Sequence, residues 1–359
     1  MTIPPQSPAP RRAWIPPRAF PRTRSPSHAP QAHHEGMHAE PPEPAELTFP
    51  RPAPPPTRGG DARTPESDPV PPPPGGMLWD LVGEVRTLLT LPAALLLQVA
   101  HPAVGAGVDE HSVFRTDPWG RAERSLHSLQ LWVYGQDRAV EEGHRLRRLH
   151  RGIRGTDSRG RPYHALTPAY YAWVHATGFP VFQHTQRYLG KRPFTPAQER
   201  QLYAEWLRVG RVLGIADRDM PQNLEEFWPY YRRTLTEELE PNTVVRDLVS
   251  ITEPLPPPDR GPRAARLLLR AGWPVLGPML SRLRRFVTIG YLPPDARRAL
   301  ELPWSVAQER RLRRFSAVVR HILPRLPERL RYLPAARAAR AAHRARARRG
   351  LAGSPAPAS

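Results

Sequence analysis

Residues 88–108, LLTLPAALLLQVAHPAVGAGV, are apolar for nearly their whole length. A run of about 20 such residues either crosses a bilayer or lies at the centre of a core that covers it on all sides. Gln98, His101 and Pro102 sit near its middle, and polar side chains in hydrocarbon are costly. The sequence therefore points to a fully buried helix in a soluble core, which demands a good deal of further chain to wrap it.

That chain is not spread evenly. Residues 1–76 carry much of the 49 prolines, almost no aromatic side chains and no apolar periodicity, so they cannot bury enough surface to offset chain entropy. They are expected to form a disordered, partly polyproline II tail, with a second short disordered stretch at 349–359. From Met77 the apolar spacing is helical nearly throughout. It predicts segments over 77–90, 92–107, 117–134, 136–154, 168–190, 196–214, 222–239, 242–251, 263–289, 294–300, 304–323 and 327–348. Thr167-Pro168 and Thr195-Pro196 read as caps before a first-turn proline, and Gln198 suits a capping box with Thr195. No strand alternation is convincing. The Pro-rich joint 251–263 could divide domains, but the segment after it is too poor in apolar residues to form a core alone. The expected fold is all-α, a single multi-helix domain over 77–348.

The net charge of +20 raises nucleic acid or an anionic membrane as partners. The tail mixes acids such as Glu40, Glu43 and Glu46 with its arginines, and AARAARAAHRARARRG near the C-terminus reads as a solvated Ala/Arg helix without an apolar face. No aromatic residues interleave with these arginines to stack bases, which argues against nucleic acid. The first thirty residues contain no apolar stretch of leader length. The expected location is the cytoplasm, or the periphery of a membrane.

The chain has no cysteine and 14 histidines, so any metal must be held by His, Met, Asp, Glu or Tyr, and thiolate zinc, iron–sulfur and c-type haem sites are excluded. Two spacings mimic metal motifs. His34-Glu35-x-x-His38 has the zincin spacing, but lies in the Pro-rich tail with a glycine inside it. Glu141-x-x-His144 matches half of a di-iron helix pair, and no partner motif exists. The helical period separates the two histidines of EEGHRLRRLHRGIRG. Val140, Gly143, Leu146, His150 and Ile153 share the inward face, whereas His144 falls with Arg147, Arg148 and Arg151 on the charged one. One helix earlier, Arg121 and Ser125 are an i, i+4 pair on a face that continues into Leu129 and Trp132, where a cation beside a hydroxyl suits an anionic group or bound oxygen. The bland alternatives are a hydrogen-bonded core histidine, a surface arginine and a packing serine. Gln98 and His101 are expected to be satisfied by neighbours or backbone.

The motifs LLLQVAHPAVGAGVDEHSVF, DPWGRAERS, HRLRRLHRGIRG, YHALTPAYYAWVHAT and TIGYLPPDARRAL, in that order, resemble the family that contains the latex-clearing rubber oxygenases and a fungal membrane-bound oxygenase of mycophenolic acid biosynthesis. The likeness spans about 78–340. It implies an all-α fold, one b-type haem and insertion of dioxygen across a carbon–carbon double bond of a polyisoprenoid. It also implies that His150 is the iron ligand, that Arg121 lies beside the haem and that Ser125 stands where the family has threonine. Arg124 takes the place of a distal lysine and cannot be neutralised to act as a ligand. Glu110 or Asp109 is the nearest match to the family's acid, with Glu110 taken as the base. Trp132, Trp173 and Phe179 are candidates for an apolar substrate channel. The expectation is thus a haem b-dependent oxygenase acting on an apolar, isoprenoid-like substrate with dioxygen. Its rivals are a cofactor-less helical protein that binds lipid, and a basic helical protein that binds anionic membrane or nucleic acid through residues 325–349.

Overall fold

The apolar run is two helices, not one. In the computed structural model, which describes residues 69–250, 255–259 and 262–352, Thr87–Ala100 and Pro102–His111 meet at His101 with a bend of 101°. Proline at the first position of the second helix starts it well, but drives the preceding residue out of the helical region. His101 is accordingly extended, at φ −71° and ψ 128°. The expected single segment over 92–107 is corrected on this point. Among the described residues no single helix is long and apolar enough to cross a membrane, and this bent pair passes that test only by combined length and composition.

Numbering in chain order, the helices are α1 Met77–Leu81, α2 Thr87–Ala100, α3 Pro102–His111, α4 Pro118–Tyr134, α5 Asp137–His150, α6 Pro168–Ala176, α7 Gly178–Leu189 and α8 Pro196–Val212. They continue with α9 Leu224–Glu237, α10 Thr243–Val249, α11 Arg263–Gly290, α12 Pro294–Ala299, α13 Val306–Ile322, α14 Glu328–Arg331 and α15 Pro334–Ala352. All described residues fall in one compact unit, and the fold is all-helical apart from a small hairpin. α2 is its axis, with α7, α11, α3 and α10 packed around it. Leu96 and Ala100 of α2 and Trp173, Phe179, Phe227 and Leu202 from surrounding helices are sealed from solvent, each large side chain stabilising by roughly 1.5–3 kcal/mol. α11 packs on α2, so the helices before and after the Pro-rich joint belong to one domain.

Five other expectations change. The segment 168–190 divides at Thr177, because Pro180, the third residue of α7, lacks the N–H that would bond the Ala176 carbonyl. The segment 77–90 divides at 82–86, where Glu84 bridges Tyr332, and 327–348 divides at Pro334, which begins α15. Antiparallel strands β1 Arg154–Thr156 and β2 Pro162–His164 follow α5, Gly155 opposite Tyr163; at three residues each they are too short to show alternation. α15 is not a free extension over its first half: Ala336 is buried, Arg340 lies 4.3 Å over the Tyr332 ring and bridges Asp80 and Glu328, and only 341–349 are uniformly exposed. Alanine allows this because its small side chain lets helix backbones approach closely.

The caps divide similarly. Thr195 and Gln198 form the full capping box, whereas the Thr167 side chain caps nothing. The His34–His38 motif and residues 1–68 lie outside the described residues.

Candidate active site

α4 and α5 form a helical hairpin joined by Gly135 and Gln136, the latter in the left-handed region at φ 51°. So short a connection brings Arg121 in the first turn of α4 and His150 at the last residue of α5 to the same end. One buried side-chain bond joins the two helices, and an ion pair within α5 holds its acceptor. Ser128 Oγ donates to Glu142 Oε1 at 2.6 Å, and Arg145 grips the same carboxylate through Nε and Nη2, both at 2.6 Å. The Arg145 guanidinium, helped by Ser128, holds the Glu142 carboxyl below the usual range against the opposing effect of burial. On its other side α5 rests on α8 at Gly143, where a Cβ would collide with the Val212 carbonyl oxygen. Only glycine permits that approach.

The inward face of α5 carries Gly143, Leu146 and His150, with His144 and Arg148 exposed as the helical period requires; beyond its end Ile153 is half-buried and Arg151 exposed. Arg147 departs from the expected charged face. It is half-buried, donates to the Gly214 carbonyl at 3.0 Å and lies 5.7 Å over the Tyr171 ring. His150 is half-buried, its ring edge-on to Tyr171 at 6.0 Å. Its Nδ1 is 2.7 Å from the Leu146 carbonyl oxygen. A carbonyl only accepts, so Nδ1 carries the proton and Nε2 presents its lone pair. Among the described residues Nε2 has no hydrogen-bond partner. A metal-binding histidine has this arrangement, its second nitrogen anchored to backbone.

Arg121 is exposed over much of its surface, yet atoms crowd its guanidinium, and this desolvation, with Arg124 beside it, lowers its pKa. The exposure keeps that shift a small effect; what counts is that no carboxylate meets Arg121 among the described residues. It donates to Ser125 Oγ, which itself donates to the Arg121 carbonyl at 3.0 Å. Ser125 therefore positions the guanidinium. Arg124 turns away to Asp117, the N-cap of α4, at 3.1 Å, and is not brought to the imidazole.

Glu110, near the end of α3, is exposed and accepts from Tyr163 Oη at 3.0 Å, with His111 at 3.7 Å. Burial, and then the bond to Glu110, raise the Tyr163 phenol to about 12. The hairpin makes this contact possible at Gly155, where a Cβ would stand 2.6 Å from Glu110 Oε2 and 3.0 Å from the Tyr163 ring. Asp109 instead pairs with Arg115 at 2.6 Å. Tyr163 and Tyr171 were not singled out from sequence, although both lie in YHALTPAYYAWVHAT; the alternation that would have marked Tyr163 is absent from so short a strand.

Gln98 is satisfied as expected, donating to the Val174 carbonyl at 3.2 Å and to Thr177 Oγ1 at 3.0 Å. His101 is not: its ring lies 4.9 Å from Tyr170, its Nδ1 is buried without a partner, and desolvation lowers its pKa. Trp173 donates to the Leu97 carbonyl and stacks on Tyr231, and Phe179 is sealed among Tyr203 and Phe227. Both are core rather than channel wall.

Among the described residues no three His, Asp or Glu side chains cluster closely enough to hold a metal ion. Among the described residues this hairpin end offers one imidazole with an unpartnered Nε2 and a guanidinium that meets no carboxylate. A metal-bearing group that itself carries carboxylates would find in these residues a nitrogen donor and a cation. Two hollows, of about 650 Å³ beside Lys191 and Arg320 and about 560 Å³ beside Arg297 and Trp304, lie elsewhere. Of the apolar side chains packed incompletely on the core, Val108, Leu126 and Leu146 lie on α3, α4 and α5, the helices that carry the candidate residues, while Phe114 follows α3 and Tyr171 lies on α6.

These features define an all-helical domain with a half-buried imidazole and a carboxylate-free guanidinium at one end of the α4–α5 hairpin. Residues 79–321 match the family described as ER-bound oxygenase mpaB/B'/Rubber oxygenase, catalytic domain, and the chain belongs to that oxygenase family. It is 30% identical over 243 residues to the uncharacterized proteins Mb2261 of Mycobacterium bovis and Rv2237 of Mycobacterium tuberculosis, covering 65% of this chain and 87% of each relative. No solved structure matches it.

Proposed function

We propose that this chain is a haem b-dependent oxygenase that acts with dioxygen on an apolar, isoprenoid-like substrate at a carbon–carbon double bond. The observation that carries the reading is the tautomer of His150, whose Nδ1 proton is committed to Leu146 and whose Nε2 lone pair is free. When bound, the haem supplies a metal centre at which dioxygen is activated. In this reading His150 Nε2 would hold the iron. Arg121, lacking a carboxylate partner among the described residues, would pair with a carboxylate of the bound group, and Ser125 keeps the guanidinium in place. Glu110 accepts a proton from the substrate, its carboxylate oriented by the Tyr163 hydroxyl. The incompletely packed apolar side chains exclude water from a hydrocarbon substrate.

The test is the visible spectrum of the full chain prepared with haem. A Soret band in the wild type, lost in His150→Ala and weakened in Arg121→Ala, supports the assignment. An unchanged band in His150→Ala removes His150 as ligand. A colourless wild type that binds prenyl lipid would place the chain among cofactor-less lipid binders.

A further inference from the structure

α11 is the longest helix of the fold, and its two ends are differently placed. The last residues, Val287, Thr288, Ile289 and Gly290, are buried, while the first two-thirds present aliphatic side chains to solvent. Leu268 and Val275 are 76% and 75% exposed, Leu267 is 68%, and Met279 and Leu283 continue the pattern. Leu268, Val275, Met279 and Leu283, at spacings of seven, four and four, form one stripe along the helix. α2, on which α11 packs, leaves Leu88 and Leu95 partly exposed as well. Isolated exposed leucines need no explanation, but a contiguous stripe does.

Charge indicates what covers it. α11 contains no aspartate or glutamate. Three of its arginines are tied to backbone carbonyls: Arg266 to Asp259, Arg284 to Leu248 and Ser250, and Arg285 to Val249. Arg263, Arg270 and Arg282 remain exposed and have no acidic partner among the described residues. Aliphatic residues flanked by unpaired arginines, on a protein of net charge +20, match an interfacial helix that meets acyl chains with one face and anionic headgroups with the other. A second copy fits less well, because self-pairing of a helix with arginines and no acid would bring cation beside cation with no carboxylate to offset them. Nucleic acid would use the arginines but give the leucines nothing to bury against, and the stripe contains no aromatic side chain to stack on bases.

We propose that the exposed stripe of α11 is a membrane-docking face that seats in the headgroup region of an anionic bilayer. The surface is independent of the residues assigned to haem and stands whether or not that reading does.

Vesicle flotation of the full chain tests it, with phosphatidylcholine vesicles that contain or lack phosphatidylglycerol. The wild type is expected to float with the anionic vesicles, and less so as salt is raised. Leu268→Ser/Val275→Ser/Met279→Ser leaves every charge in place and should weaken flotation at least about tenfold, with an unchanged far-UV circular dichroism spectrum. Arg263→Gln/Arg270→Gln/Arg282→Gln should erase the preference for anionic over neutral vesicles. Flotation of the serine variant equal to wild type would overturn the proposal, since attachment would then run through some other basic surface such as α15. So would a dimer that the serine substitutions dissociate while no vesicles are bound, or capture of duplex DNA with no flotation.

Discussion

Glu142→Gln probes the buried carboxylate to which Ser128 of α4 and Arg145 of α5 both bond. The Glu142 side chain is only 6% exposed and receives two bonds from Arg145 and one from Ser128, all at 2.6 Å. Glutamine keeps the shape but has one acceptor where the carboxylate has two. Whichever way its amide is turned, one N–H of Arg145 faces an N–H of the glutamine. Losing one charge-assisted bond to a buried group costs about 1.5–3 kcal/mol. Arg145 is 46% exposed, so water can take up the freed donor, which puts the expected loss near the lower end, about 2 kcal/mol. The pH dependence has a definite sign. The folded-state pKa of Glu142 is lowered, so its stabilisation is complete above the ordinary carboxylate value and fades as pH falls through the folded value. Urea denaturation of both proteins should give a gap of about 2 kcal/mol near neutral pH that shrinks at about pH 3. A gap that is the same at both pH values, or below about 0.5 kcal/mol at neutrality, would refute the reasoning.

Three further outcomes follow from other sites. His175 is buried, donates from Nε2 to the Trp206 carbonyl at 3.1 Å, and is pushed down to about 3 by desolvation; the unfolded chain therefore takes up its proton first, and stability should fall by up to about 1.4 kcal/mol per pH unit below about 6.5, a slope that His175→Leu should reduce in acid denaturation curves. Thr195→Ala removes one half of the α8 capping box and should lower stability by about 1 kcal/mol in thermal melts. Gly155→Ala forces a methyl group against Glu110 and Tyr163 and should cost about 1–3 kcal/mol; in a double-mutant cycle with Glu110→Ala the two losses should be non-additive, and strict additivity would count against the close contact.

The helical fold was legible because its signals are local. The face of α5 follows from spacing alone, and Thr195 with Gln198 announces its cap. The helix breaks at 101, 177 and 334 were also written in the chain, as Pro102, Pro180 and Pro334, but were outweighed by the apolar or alanine-rich runs that continue across them. The missed features depend on residues far apart in sequence. Glu110 meets Tyr163 only through a hairpin too short to show a period, and Ser128 meets Glu142 only once α4 and α5 have folded back on each other. Arg121 and Arg124 lie within one turn of α4, and the Asp117 carboxylate at the cap draws Arg124 away from the site. The docking of α15 could not be read from its own residues, since alanine becomes a contact surface only when a neighbour comes near enough.

The corner at His101 and Pro102 shows why counting greasy letters can mislead. Contour length decides whether a segment scores as a membrane crossing, but only end-to-end reach decides whether it can make one. Folding the run nearly to a right angle shortens that reach and lets two rods brace each other inside a single globule. Replacing Pro102 with a residue that permits continuous helix would straighten the corner only by tearing α3 from its packing, so this one ring helps to decide whether twenty greasy residues make a keystone or a pole.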